Sequence, residues 1–341
     1  MTTCIVGAGA IGGLIGAKLA LAGNEVTLIA RGPHLAAIRK GGLTLVATDG
    51  SKQVARDVRS TDRISEAGEH DLVVLALKAH QIAEIADELP ALFGKETVVV
   101  TVQNGIPWWY FQKHGGEFDG KRLESLDPDG EIERCVGVER IVGSIAYPAA
   151  EKPAPGVIRH IEGLRFPLAE LDGAKTARVK AISKLIVRAG FRAPVLSDIR
   201  AQIWLKAWGN LSFNPISALT RATLAEICRF PETRRLASDM MGEAKEIAEK
   251  LGVSFRHTIE QRIAGAEAVG EHKTSMLQDV EAGRPLELEA LVGVVTELGR
   301  LTDTPTPSIS AVYAGVKLLA RTLDQRPGHG LGSTIVSSEH K

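Results

Sequence analysis

Cysteine is scarce in this chain: Cys4, Cys135 and Cys228 are the only three among 341 residues. They lie far apart, without the paired spacing of a zinc site or a disulfide framework, so the sequence predicts reduced thiols and no metal. A charge imbalance is missing too. Lys plus Arg and Asp plus Glu stand at 41 each, which leaves no electrostatic footprint for nucleic acid or an anionic membrane and favours a small-molecule partner. Long apolar runs are also absent. None approaches the length of a membrane span, and the apolar start breaks into glycines at once instead of forming a secretory leader. These absences predict a soluble, cytoplasmic protein. What is present is apolar material for a sizeable core, 44% of residues, on a length that suggests two domains.

Strands and helices alternate through the first part of the chain. "TTCIVGAG" is a short apolar run ending in glycines, "AIGGLIGAKLALAG" has helical periodicity closed by Gly23, and "NEVTLIA" reads as a second buried strand. That is a βαβ unit. Further on, "HDLVVLALK" reads as a strand before a helix over "HQIAEIADELPALF", and "ETVVVTVQNG" and "RIVGSIAYP" read as more strands. Continuous apolar strands separated by helices predict an α/β domain of the Rossmann type, its parallel sheet covered on both faces. After about residue 175 the periodicity is helical almost throughout, which predicts an all-helical C-terminal domain. The expected boundaries are 1–196, 197–326 and a frayed tail over 327–341.

The first chemical motif is Gly7-Ala8-Gly9-Ala10-Ile11-Gly12, set between strand and helix. Its glycines permit a tight turn, close approach of backbone to a pyrophosphate, and close helix packing. The helix N-terminus adds amides and the positive end of a dipole. At the end of the second strand, where an NAD site offers a carboxylate to the ribose 2′-hydroxyl, "LIARG" places Arg31. A guanidinium there suits a 2′-phosphate, so NADP is the expected cofactor, the alternative being a surface arginine in a loop.

A second constellation lies in "QIWLKAWGNLSFNPISALT", residues 202–220. If this stretch is helical, Lys206, Asn210 and Asn214 share one face while Trp204 and Trp208 lie near the opposite side. Asparagine is a poor helix-interior residue, so two in register with a lysine favour a functional stripe over a solvated polar face. A hydride acceptor develops negative charge on its carbonyl oxygen, and a lysine can meet that charge or protonate it. Partial burial would lower such a lysine from about 10.4 towards a useful acid. Lys78 and Asn104 follow the apolar strands "VVLALK" and "VVTVQN", at the carboxyl ends where α/β sheets bind ligands. A turn-forming Asn104 before Gly105 is the alternative. His80 reads as a surface or capping residue.

"GAGAIGG", "LKAHQ", "QNG", "WLKAWGNLSFNPISALT" and "SMLQDVEAGRPLELEALVG", taken in order, resemble the ketopantoate reductase family over nearly the whole chain. The resemblance implies NADPH-dependent reduction of a 2-keto acid, 2-dehydropantoate to pantoate, in a cleft between the two domains of a homodimer. By motif, Lys206 matches the catalytic lysine and Glu287 the active-site glutamate. Asn210, Asn214 and Ser275 match substrate-binding groups, while Lys78 and Asn104 match residues lining the cofactor and substrate cleft. Read without the resemblance, Glu287 and Ser275 are ordinary helix-end residues. Two stretches depart from the family pattern. The first spans 106–135, where Trp108, Trp109 and Tyr110 either line the cleft or pack at the domain junction; the second is "YPAAEKPAPGVIRHIEGLRFPLAELDG". These departures leave open a different keto or hydroxy acid. The competing classes are another Rossmann-plus-helical dehydrogenase and a non-enzymatic NADP sensor.

Overall fold

Short apolar runs and the glycines behind them set the layout of the first half. The computed structural model describes residues 1–325, in two compact units that divide between Trp204 and Leu205. The expected tail over 327–341 lies outside the described residues. The first unit holds β1 (Thr3–Val6), α1 (Ala10–Leu21), β2 (Val26–Ile29), α2 (Gly32–Gly41), β3 (Leu43–Val46), β4 (Lys52–Ala55) and β5 (Val58–Thr61). Then come β6 (His70–Leu75), α3 (Ala79–Ala83), β7 (Phe93–Thr101), α4 (Glu131–Val136) and β8 (Ile141–Ser144). β9 (Ala149–Ala154), β10 (Val157–Glu162), β11 (Leu168–Glu170) and α5 (Ala177–Arg188) complete it.

Seven strands form one sheet in the order β11-β8-β7-β6-β1-β2-β5. All neighbours are parallel except β11, which runs antiparallel to β8. Every residue of β1 and β2 is buried, as strands covered on both faces require. The chain leaves β1 towards β2 on one side and returns to β6 on the other. That makes the crevice at β1 a topological switch point.

A second sheet, ordered β4-β3-β10-β9, was not legible in the sequence. Its outer strands β4 and β9 are largely exposed, and β9 carries Pro153, which a sheet tolerates at an edge. Such strands bury too little to show an apolar alternation. α1 meets this sheet closely: a Cβ on Gly13 would lie 2.7 Å from Ile158 Cδ1.

The helix expected over "HQIAEIADELPALF" is cut short. α3 has five residues, and a 3-10 segment, Ala86–Leu92, replaces the rest. Pro90 lacks the amide that an α-helix needs there and clashes with the preceding turn. The start of the 106–135 stretch folds inward: Trp108, Trp109, Tyr110 and Phe111 are all buried. Trp109 Nε1 donates to Thr101 Oγ1 at 2.9 Å. Arg200 clamps the same stretch through the carbonyls of Tyr110 and Gln112, and ties it to the carbonyl of Leu171 after β11, all at 2.7–2.8 Å. These aromatics are core of the first unit, which answers the question left by the sequence.

α6 (Ile199–Thr220) begins in the first unit and continues into the second. It is followed by α7 (Leu224–Arg229), α8 (Pro231–Lys250), α9 (Ile259–Ala268), α10 (Ser275–Glu281), α11 (Val294–Leu301) and α12 (Pro307–Asp324). Met240, Met241, Ala244, Ile247 and Ala248 form the buried face of α8. No helix among the described residues is long and apolar enough to cross a membrane.

Candidate functional site

Four groups singled out in the sequence fall at the carboxyl ends of four adjacent strands. Val6 of β1 is in register with Ile29 of β2 and Leu75 of β6, and Leu75 with Thr101 of β7. The glycine turn therefore follows β1, Arg31 follows β2, Lys78 follows β6 and Asn104 follows β7. Gly7 has φ +96°, a left-handed conformation that favours glycine. A Cβ on Gly12 would collide with the Gly7 carbonyl and come within 2.8 Å of Ala76 Cβ, so only glycine lets α1 start this close to the sheet.

The middle glycine differs, since a Cβ on Gly9 would meet nothing within 4 Å. Gly9 caps α1 without a side-chain hydrogen bond, and Ala10, Ile11 and Gly12 open the helix with no acidic residue in the first turn. First-turn amides have no intrahelical partner, and with open space at Gly9 they fit an anionic diphosphate. Ala8 is buried, and its N–H donates to Ile29 O at 2.9 Å. Arg31 is exposed at the start of α2. Lys78 caps α3, where its N–H donates to Gln81 Oε1 at 3.2 Å. Beside Asn104, Gln103 Nε2 donates to Leu75 O at 2.6 Å and ties the ends of β6 and β7 together. His80 is exposed in α3.

In the second unit, Lys206, Asn210 and Asn214 recur every fourth residue of α6, as expected from the sequence. Trp208, on the far side, is fully buried and donates from Nε1 to Met241 O at 2.7 Å. Its ring lies 4.3 Å from that of Phe255. Trp204 performs the same task in the first unit, where Nε1 donates to Tyr110 Oη at 2.8 Å. Burial pushes Lys206 down to about 8, and the Glu287 carboxylate opposes that shift. Asn214 is buried and makes a weak 3.4 Å hydrogen bond to Ser275 Oγ, at the first residue of α10.

Glu287 stands just before a π-helical turn, Glu289–Gly293, that leads into α11. A single π turn is a common device at functional positions. Here it is held by Tyr313 Oη, which lies 2.7–2.8 Å from both Glu289 oxygens. This turn was not legible in the sequence, because its signal resides in contacts between α12 and the segment before α11.

Comparison with known proteins follows the same division. The family model described as ketopantoate reductase PanE/ApbA matches residues 3–173, and the one described as its C terminal matches 198–320. A 2-dehydropantoate 2-reductase from Mesorhizobium japonicum is 53% identical over 321 residues, 94% of this chain and 98% of the relative. Among solved structures, a Ralstonia solanacearum MolK2 protein named as a ketopantoate reductase superposes with TM-score 0.90 at 38% identity, over 94% of this chain and 98% of its own. D-mandelate dehydrogenase in complex with NADH and anilino(oxo)acetate has TM-score 0.81 at 23% identity, over 95% of this chain and all of its own, a likeness of fold alone.

Proposed function

The chain belongs to the ketopantoate reductase family and is an oxidoreductase acting on CH–OH groups, and from that premise we propose that it reduces a 2-keto acid with NADPH, 2-dehydropantoate to pantoate. The observation that carries this reading is the partly buried Lys206 on the polar stripe of α6, pushed down to about 8 with Glu287 acting on it. When bound, the reduced nicotinamide supplies hydride to the ketone carbon. Lys206 then has the work of meeting the charge that grows on the carbonyl oxygen and passing it a proton. An ordinary lysine is a poor acid near neutrality; one near 8 is still mostly protonated at pH 7 and gives its proton up more readily. Glu287 keeps that ammonium charged. Asn210, Asn214 and Ser275 are neutral, so they can orient a hydroxyl or carboxylate without cancelling the lysine's field.

The turn Gly7-Ala8-Gly9-Ala10-Ile11-Gly12 would hold the diphosphate, Arg31 the 2′-phosphate, and Lys78 and Asn104 the remainder of the dinucleotide or the substrate. Asn104 serves the substrate in this proposal as well. A homodimer working in the cytoplasm completes the reading. A non-enzymatic NADP sensor is disfavoured because it has no use for the Lys206, Asn210 and Glu287 set.

The test is loss of NADPH absorbance with a panel of 2-keto acids, 2-dehydropantoate among them. Fastest turnover with 2-dehydropantoate supports the proposal in full. Preference for another keto acid moves the substrate assignment, and no turnover with any of them overturns the reading.

A further inference from the structure

His34, in the first turn of α2, is buried with 6% exposure and is bonded at both ring nitrogens. Nε2 lies 2.8 Å from the carbonyl oxygen of Ala8, and the N–H of Gly156 donates to Nδ1 at 2.9 Å. An amide N–H can only donate, so Nδ1 carries the lone pair. Nε2 must then carry the hydrogen and donate to Ala8. The ring is thus neutral, in one tautomer, and ties Ala8 to Gly156, which lies 122 residues beyond His34 itself.

Both ends of this tie matter. Gly156 turns the chain between β9 and β10 with φ +74°, and a Cβ there would approach Ala37 Cβ of α2 to 2.9 Å. The second sheet is therefore seated tightly on α2. Ala8 is the residue between the first two glycines of the turn, and its own N–H is already fixed to Ile29 O at 2.9 Å. The carbonyl of Ala8 and the N–H of Gly9 belong to one planar trans peptide and point in opposite directions. Holding that carbonyl on His34 therefore aims the Gly9 N–H away from the ring. Gly9 N–H has no hydrogen-bond partner among the described residues.

We propose that His34 is a positioning residue for the dinucleotide: in its neutral form it locks the Ala8–Gly9 peptide so that the glycine turn presents its amide to the diphosphate, and protonation at Nδ1, which sets an N–H against the Gly156 N–H, drives the ring out of its seat and so releases the lock. This rests on the reading of the turn as a cofactor site. Burial and the positive charge of Lys152 on β9 both hold His34 below the ordinary histidine value of 6.5, and the Ala8 carbonyl opposes them more weakly. Among the described residues Lys152 is the one charged group acting on the ring. The sign follows. The lock is complete above pH 6.5 and is lost as pH falls through the lowered His34 value beneath it, when Nδ1 gains a proton and faces the Gly156 N–H.

Fluorescence titration with NADPH at pH 8 and pH 5 tests this on the full chain, on His34→Gln and on His34→Phe. Glutamine is the informative variant, since its amide keeps an acceptor and a donor on one carbon and does not titrate. At pH 8 His34→Gln is expected to bind within a few-fold of the natural chain, and His34→Phe about threefold to tenfold more weakly. Between pH 8 and pH 5 the natural chain should lose about threefold to tenfold more affinity than His34→Gln. The difference between them removes ionisation of the cofactor's own 2′-phosphate, which titrates near pH 6. Superimposable pH profiles overturn the proposal while leaving the cofactor reading intact. Failure of the natural chain to bind NADPH at pH 8 overturns both. Should His34→Phe fail to fold by circular dichroism, the glutamine comparison decides alone.

Discussion

A lysine and an arginine carry the chemistry that can be tested one side chain at a time. Lys206 sits near 8 because burial disfavours its charge. A general acid must hold its proton, so reduction is expected to fall about tenfold per pH unit above about pH 8. Glu287 raises Lys206 towards its ordinary value, and Glu287→Gln removes that help. The basic limb of the kcat profile should then move to lower pH; a limb that stays in place would separate Glu287 from Lys206. Lys206→Ala should lower kcat by about a hundredfold or more while NADPH binding stays near the natural value. Unchanged turnover with an intact circular dichroism spectrum would remove Lys206 from the chemistry. Arg31 is a matter of one phosphate. In the proposed reading the glycine turn meets the diphosphate that both dinucleotides share, so discrimination would fall to the end of β2. A charged hydrogen bond contributes about 1.5 to 3 kcal/mol, roughly ten- to more than a hundredfold in affinity. Arg31→Ala should lose most of an NADPH preference and bind NADH as before, and because Arg31 is exposed the preference should shrink with salt. Equal affinities in the natural chain would make Arg31 a bystander.

At the scale of elements, α1 and α6 are specified by opposite means. α1 is admitted between the sheets by what it lacks. Gly12 lies against β1 and Gly13 against Ile158 of β10, so the helix approaches both sheets without side chains in between. Gly12→Ala forces a methyl against the Gly7 carbonyl and Ala76, and overpacking of this kind typically costs about 1 to 3 kcal/mol. It should lower the melting temperature and weaken NADPH and NADH alike, since the collision is with the turn itself. Full stability with unchanged affinities would mean that α1 can move away at no cost. α6 is instead fixed by bulk. Trp204 and Trp208, one turn apart, each spend the indole N–H on a buried acceptor, the first in its own unit and the second in the next. The four-residue spacing puts Lys206, Asn210 and Asn214 on a common face, and the two indoles fix which way the opposite face turns.

For the whole molecule, binding and stability are linked. A ligand held only by the folded state at a hundred times its Kd adds about 2.7 kcal/mol, or roughly 5 to 10 °C for a unit of about 200 residues. Calorimetry should show a rise of that order with NADPH, and a smaller one with NADH at equal concentration. No rise with either would argue against a dinucleotide site in the first unit. The sequence by itself determined whatever depends on near neighbours. The βαβ start, the glycine turn, the apolar strands ending at Lys78 and Asn104, and the Lys206, Asn210, Asn214 register are all local, because periodicity and turn chemistry act over a few residues. Tertiary structure alone decided the rest. The outer strands of the second sheet are too exposed to show a pattern, and whether the aromatics from Trp108 onward lined a cleft or formed core turned on Arg200 and Thr101. The acidity of Lys206 needed the burial that the folded chain imposes, and the Glu287 that tempers it stands 81 positions away. The role of His34 needed Gly156, 122 residues away. Burial, and the pairing of groups distant in the chain, are set by the folded backbone, and no short window of sequence contains them.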